Sequence, residues 1–118
     1  MKFVMSDEGE RYTPDGHDEE VFSRIIYKDG IDIHMTTFPG GTGMEEEFHE
    51  KISHVFYMLK GQMEVLKHKK VLNRLYEGDA VYIPAGEAHE IKNCSETDAV
   101  FLAVNFEENR RPKYEKSS

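Results

Sequence analysis

The stretch GDAVYIPAGEAHEIKN, residues 78–93, places a single histidine, His89, behind a Pro-x-Gly turn. Imidazole is the side chain most often used for proton transfer near neutral pH, and it is a common metal ligand. One imidazole does little alone. Val81 and Ile83 lie on one side of the strand that leads into the turn, and Tyr82 lies on the other. If His89 binds something, its partners must come from elsewhere in the chain.

The elements that would position such partners are short apolar runs with period-two alternation. These runs, among them EEVFSRIIY, IDIHMTTF and AVFLAVNF, are separated by Gly, Pro, Asp and Asn about every ten residues. Asp-Gly at 29–30 indicates a hairpin. This spacing is typical of an all-β sandwich or barrel.

One segment, EEEFHEKISHVFYMLKG, fits two interpretations. Phe48, Ile52, Val55 and Leu59 recur at helical spacing, which favours a helix. The β-branched and aromatic run from Ile52, entered through a glycine-rich turn, favours a strand instead. Periodicity alone leaves both open.

Composition limits the class of protein. With 118 residues we expect one domain, and a net charge of −8 argues against nucleic-acid binding. The lone Cys94 predicts a reducing compartment, and no apolar run is long enough for a signal peptide or a membrane span, so we expect a cytoplasmic protein. We expect a polar, mobile segment over residues 1–17, a barrel over 18–106 and a polar tail over 107–118.

The opening stretch also carries a family resemblance. Gly78, Pro84, Gly86, His89 and Asn93 are spaced as in the second motif of the cupin family, with no position missing. The chain resembles the small single-domain (cupin 2) members over about residues 30–106. The resemblance implies a single cupin barrel, also called a double-stranded β-helix or jelly roll.

The first cupin motif can be placed in two frames. If Gly43 opens it, His49 takes the first histidine position, Lys51 takes the second and His54 comes too early. A charged lysine cannot ligate a metal, so this frame leaves an incomplete site.

The frame that begins at Gly41 satisfies every spacing. Glu47 and His49 then take the two histidine positions, His54 takes the glutamate position, and Gly61 closes the motif. We prefer this frame, in which a carboxylate and an imidazole have exchanged places relative to the family pattern.

The resemblance therefore implies four metal ligands: Glu47, His49, His54 and His89. Residues two apart on a strand project from one face, so Glu47 and His49 can act together, with His54 opening the next strand and His89 coming from a third. Imidazole with carboxylate suits one divalent transition metal ion, such as Fe, Mn, Ni, Zn, Co or Cu, better than Ca or Mg.

Other interpretations of the same residues remain open. Glu47 lies in a run of three acids, which is typical of a solvated face, so a three-histidine site is one alternative. His89 could cap its turn, His49 and His54 could be solvated, and the barrel could lack metal. Outside the motifs, we expect His34 to be exposed, His17 to lie in a loop and His68 in a solvated turn.

The resemblance implies a metalloenzyme that acts on a small, oxygen-rich molecule by dioxygenase, isomerase, lyase or cyclase chemistry. Glu47 and Tyr82 are candidate bases, and parity along the strand before Pro84 places Tyr82 on the cavity side. The alternative is a non-catalytic or sensory barrel that binds metal and a small ligand. We expect a homodimer through the outer apolar positions Val55, Tyr57 and Leu59, and neither nucleic acid nor membrane as a partner.

Overall fold

A computed structural model describes residues 1–107, and residues 108–118, most of the predicted tail, lie outside it. The described chain forms nine strands: β1 (Arg11–Tyr12), β2 (Phe22–Lys28), β3 (Asp32–Phe38), β4 (Ile52–Lys60), β5 (Met63–Lys67), β6 (Lys70–Leu75), β7 (Ala80–Ile83), β8 (Glu90–Lys92) and β9 (Ala99–Glu107).

The strands form two antiparallel sheets. The larger has the order β1-β2-β3-β9-β4-β7 and the smaller has the order β6-β5-β8. Residues 1–107 contain no helix, and therefore none that could span a membrane. The segment with two interpretations is a strand, β4, because its inward and outward residues alternate in burial and pair with β9 on one side and β7 on the other.

Alternation determines what faces the interior. On β3 the buried residues are His34, Thr36 and Phe38, and on β9 they are Ala99, Phe101 and Ala103. Most of the core comes from one set of packed apolar side chains: Val21, Phe38, Met44, Phe56, Met58, Met63, Val65, Leu75, Ile83, Ile91, Ala99, Phe101 and Ala103. Three phenylalanines and three methionines supply most of the bulk of this core.

Irregular backbone extends the smaller sheet beyond β8. Residues 43–47 run antiparallel to residues 89–92, with bridges at Gly43–Lys92 and Glu47–His89. Residues 16–18 add a further layer, since the amide of Asp18 donates to the carbonyl of Gly43 at 2.9 Å. Part of the segment that was predicted to be mobile, residues 11–17, therefore contributes β1 and this edge.

Candidate metal centre

Glu47 and His89 are fixed as a pair by the backbone. The amide of each donates to the carbonyl of the other at 2.9 Å, the pattern of an antiparallel bridge. Residues directly opposite each other in such a pair project from the same face. The carboxylate and the imidazole therefore point together into the barrel, although neither residue lies within a regular strand.

His54 approaches from the larger sheet. It is the third residue of β4, where it pairs with Asn105 of β9 and Ile83 of β7. Its Nδ1–H donates to Oδ1 of Asn105 at 2.7 Å. This bond fixes the tautomer, so the lone pair of His54 lies on Nε2, which is buried without a hydrogen-bond partner.

His89 is oriented in the same way. Its Nδ1–H donates to the carbonyl of Glu87 at 3.0 Å, and its Nε2 is also buried without a hydrogen-bond partner. The turn before it depends on Gly86, whose φ of +88° is a left-handed value that favours glycine. The Gly86 amide donates to the carbonyl of His49 at 2.8 Å, so this turn also holds the fourth predicted ligand in place.

The four predicted side chains converge. Oε2 of Glu47 lies 3.4 Å from Nε2 of His49 and 3.7 Å from Nε2 of His89. The His54 ring centroid is 5.1 Å from that of His49 and 5.3 Å from that of His89. Within residues 1–107, however, no group of three or more His, Cys, Asp or Glu side chains has the arrangement of a ready-formed metal site.

The electrostatics of the cluster follow from burial and mutual contact. Burial acts to raise the pKa of Glu47, but the polar contact with His89 and the nearby His49 hold it below its usual value. Burial acts to lower the pKa of His89, yet Glu47 and the Glu87 carbonyl raise it overall. Burial lowers the pKa of His54 despite the bond to Asn105. The Glu47 carboxylate thus lies beside one imidazole that binds a proton more readily than usual, His89, and one that binds a proton less readily, His54.

These side chains open onto a cavity of about 1170 Å³ between the sheets. Its deep wall is apolar, formed by Phe38, Met44, Phe56, Ile91, Phe101 and Ala103. Small-molecule sites are typically clefts of about 300–1,000 Å³ with apolar walls and few polar groups. The barrel therefore has space for a small organic ligand.

Several sequence predictions need correction. Tyr82 was expected on the cavity side, but it is 50% exposed and pairs with Val55 on the outer face, because its neighbour Ile83 is the inward residue. His34 was expected to be exposed, yet it is 8% exposed and lines the cavity. His17 also lines the cavity, with its ring 5.6 Å from that of Phe38. For His68 the expected solvated turn is confirmed.

Comparison with known proteins identifies the family. The family model described as the cupin domain matches residues 34–105, more than half of the chain. The chain is a cupin. The predicted resemblance and the all-β cupin barrel are therefore both confirmed, and the matched range contains all four predicted ligand positions. No curated protein matches the chain by sequence.

Solved structures of other proteins share the fold. A predicted oxalate decarboxylase from Thermotoga maritima is 25% identical, with a TM-score of 0.78 over 91% of this chain and 100% of that one. KdgF from Halomonas sp. is 20% identical, with a TM-score of 0.74 over 92% of this chain and 96% of that one. The polyketide cyclase RemF from Streptomyces resistomycificus is 22% identical, with a TM-score of 0.77 over 89% of this chain and 78% of that one. These likenesses show a common barrel.

Proposed function

We propose that this cupin binds one divalent transition metal ion through Glu47, His49, His54 and His89 and acts on a small oxygen-rich molecule in the cavity. The observation that carries the proposal is the pair of buried Nε2 atoms on His54 and His89. Both have their Nδ1–H engaged elsewhere and no hydrogen-bond partner of their own. Metal-bound histidines are typically oriented in this way.

The separations around Glu47 support the same ligand set. Ligand atoms about 2.1 Å from a metal lie about 3.0 Å apart in octahedral geometry and about 3.4 Å apart in tetrahedral geometry. The 3.4 and 3.7 Å contacts of Oε2 are close to these values. His49, whose side chain lines the cavity and is 44% exposed, would complete the arrangement by a change of rotamer.

A bound ion of this kind supplies Lewis acidity that polarises a carbonyl or hydroxyl oxygen. Glu47 is the chain's own candidate for moving a proton, because its carboxylate lies among the converging side chains, with Oε2 3.4 Å from His49 and 3.7 Å from His89. The apolar deep wall orients the body of the ligand and excludes water. Tyr82 has no part in the proposed chemistry at the metal, because it lies on the outer face.

Two further expectations belong to the proposal. The outer face of β4 and β7 exposes Tyr57 by 44%, Leu59 by 39% and Tyr82 by 50%, and we propose that a second copy covers it in a homodimer. Exposed apolar patches of this kind commonly mark interfaces. The free, exposed thiol of Cys94 fits a cytoplasmic location.

Elemental analysis tests the metal proposal. Wild type, His89→Ala and Glu47→Gln are purified, stripped with a chelator, reloaded separately with iron, manganese, nickel or zinc, and desalted. We expect one ion per chain in wild type, loss in His89→Ala and weaker retention in Glu47→Gln. His68→Ala is the matched control, because His68 lies in an exposed turn outside the cavity lining and its Nδ1 contacts Glu46, which is not a proposed ligand, so the variant should load like wild type.

A wild-type protein that remains empty with every metal would overturn the proposal. If metal loads but no member of a panel of sugars, keto acids and catechols is turned over, the catalytic part fails. The metal-binding part would stand.

A further inference from the structure

A second polar cluster lines the cavity on the wall built by β1, β2 and β3. It consists of Tyr12, Ser23, His34 and Thr36. Pairing of β1 with β2 brings Tyr12 opposite Ser23, and His34 and Thr36 are two residues apart on the inward face of β3. None of these four residues belongs to the predicted metal ligands.

His34 has an unused polar atom. The residue is 8% exposed, its Nδ1 lies 2.7 Å from the Tyr12 hydroxyl, and its Nε2 is buried without a hydrogen-bond partner. Buried polar atoms in folded proteins nearly always have a partner. An imidazole that lines a cavity with one nitrogen unpartnered therefore points to a ligand group.

The neighbouring hydroxyls determine what that nitrogen offers. Burial raises the pKa of Tyr12 and lowers that of His34, so the phenol keeps its proton and the imidazole is neutral. Ser23 lies 2.7 Å from the Thr36 hydroxyl. A phenol O–H is a better donor than the N–H of a neutral imidazole, and an imidazole nitrogen is a better acceptor than a phenol oxygen, so Tyr12 donates to Nδ1 of His34 across their 2.7 Å contact. Nε2 then carries the proton and is a donor, the opposite of His54 and His89.

We propose that His34, held by Tyr12, is a specificity-determining residue whose Nε2–H donates to a carbonyl or carboxylate oxygen of the ligand. The ligand class is a small molecule with chelating oxygens at one end, an apolar body, and an acceptor oxygen at the other end. The chelating end rests on the proposed metal function. Recognition of the acceptor end by His34 does not.

The barrel places the two ends on different strands. Only β9 separates β3, which carries His34, from β4, which carries His54, and the two residues are offset by two positions along β9, so their backbones lie about 12 Å apart. Phe56 and Phe101 line the cavity as well, with ring centroids 5.0 Å apart. An aromatic ring with a short side chain matches this span and this apolar surface.

A pair of probes tests the proposal. 3-(3,4-dihydroxyphenyl)propanoate and 4-ethylcatechol share a chelating catechol and a two-carbon side chain, and only the first has a remote carboxylate. Calorimetric titration into zinc-loaded wild type should show about 10–100-fold tighter binding of the propanoate, as expected for a hydrogen bond to a charged acceptor. His34→Phe should abolish this difference, and His34→Gln, which keeps an N–H donor, should restore part of it.

The role of Tyr12 has its own readout. In ¹⁵N spectra of the histidine rings, wild-type His34 should show a protonated Nε2 and a bare Nδ1. Tyr12→Phe should give a mixture of the two tautomers and a smaller affinity difference between the probes. Tyr76→Phe removes the same hydroxyl from an exposed tyrosine outside the cavity and should change neither.

The outcomes separate the two proposals. Equal affinity of the two probes in wild type, no binding of either, or a bare Nε2 on His34 would overturn the role of His34, whatever the metal content. Binding of the propanoate to metal-free protein with the same dependence on His34 would support the role of His34. It would contradict the proposed contact between the chelating oxygens and the metal. If His34→Phe does not fold, the wild-type probe pair and the ring spectra still decide.

Discussion

Asn93 connects the end of β8, the strand that follows His89, to the rest of the barrel. Its removal should therefore lower the free energy of unfolding. The side chain is 1% exposed and follows β8 directly. Its Nδ2 donates to the carbonyls of Phe38 at 2.7 Å and Thr97 at 2.8 Å, and its Oδ1 accepts from the Ser95 amide at 3.0 Å and hydroxyl at 2.7 Å. One amide thus joins the end of β8, the end of β3 and the approach to β9.

Asn93→Ala removes all four hydrogen bonds. At about 1 kcal/mol net for each bond, with water replacing the partner of the Ser95 hydroxyl, the free energy of unfolding should fall by about 3 kcal/mol. Domains of this size are stable by about 6–18 kcal/mol, so the loss is a substantial fraction. The melting temperature should fall by about 12 °C.

Urea unfolding followed by far-ultraviolet circular dichroism, with a chelator present to remove any contribution from metal, measures the effect. Asn73→Ala is the matched control, because Asn73 lies on the exposed strand β6 and accepts only the Arg74 amide in the described structure. It should change the free energy of unfolding by less than about 0.5 kcal/mol. Equal unfolding midpoints for the two variants would refute this stabilising role of Asn93.

Asn93→Asp separates the donor bonds from the acceptor bonds. The carboxylate keeps both acceptors, but it replaces the two donors with oxygen atoms that face the carbonyls of Phe38 and Thr97. The variant should be at least as unstable as Asn93→Ala at neutral pH. Relative to Asn93→Ala it should recover as the pH falls from neutral towards about 4, because burial against two carbonyl oxygens raises the pKa of the carboxyl above its usual value, and the protonated form regains one donor.

Three further results are expected. Asn105→Ala should weaken metal binding about 10–100-fold in a chelator competition, because the bond that orients His54 is lost; unchanged affinity would exclude that role. In metal-free protein, burial lowers the pKa of His34 below 6.5. The unfolded chain therefore binds more protons in acid, and the free energy of unfolding falls from pH 7 towards pH 5. His34→Gln should make the free energy of urea unfolding less dependent on pH, and an unchanged pH dependence would contradict this. Tyr57→Glu should convert the proposed dimer to a monomer in light scattering, whereas Leu72→Glu on exposed β6 should not; a monomeric wild type would contradict the dimer.

The family and the barrel could be predicted because both depend on local patterns. The turn signals recur at strand spacing, and the residues from Gly78 to Asn93 keep the motif spacing because each has a local task in the turn. Gly86 supplies a positive φ, and the backbone of His89 meets that of Glu47. These constraints act within a few residues or between paired backbones, so they leave a readable pattern.

The inward face of β3 could not be identified in this way. His34 and Thr36 alternate with Ile33 and Met35, and hydrophobicity alone would place the apolar pair inside. The structure does the reverse, because this wall borders a ligand-sized cavity and polar groups line it. Phe38, in phase with His34 and fully buried, was the one available signal.

Tyr12 lay beyond any local pattern. Its contact with His34 depends on β1, a strand of two residues that pairs with β2 across a loop. Such a short strand has no periodicity to detect. Tyr82 was placed on the wrong face for a related reason, because the alternation of strand faces cannot be followed through the turn at Pro84. Its pairing with Val55 places it on the outer face instead.

The exchange of carboxylate and imidazole between positions 47 and 54 is physically consistent with one site. A metal requires a number and a kind of donor atoms, and it does not distinguish which strand supplies them. Position 47 faces His89 across a backbone bridge, where a carboxylate contacts the imidazole of His89. Position 54 faces the side-chain Oδ1 of Asn105, which orients an imidazole by accepting from its Nδ1–H. Each residue thus has a neighbour suited to it. Because Glu47 and His89 belong to the edge of the smaller sheet and His54 to the larger, an ion held by all three would join the sheets, and its binding would stabilise the folded barrel.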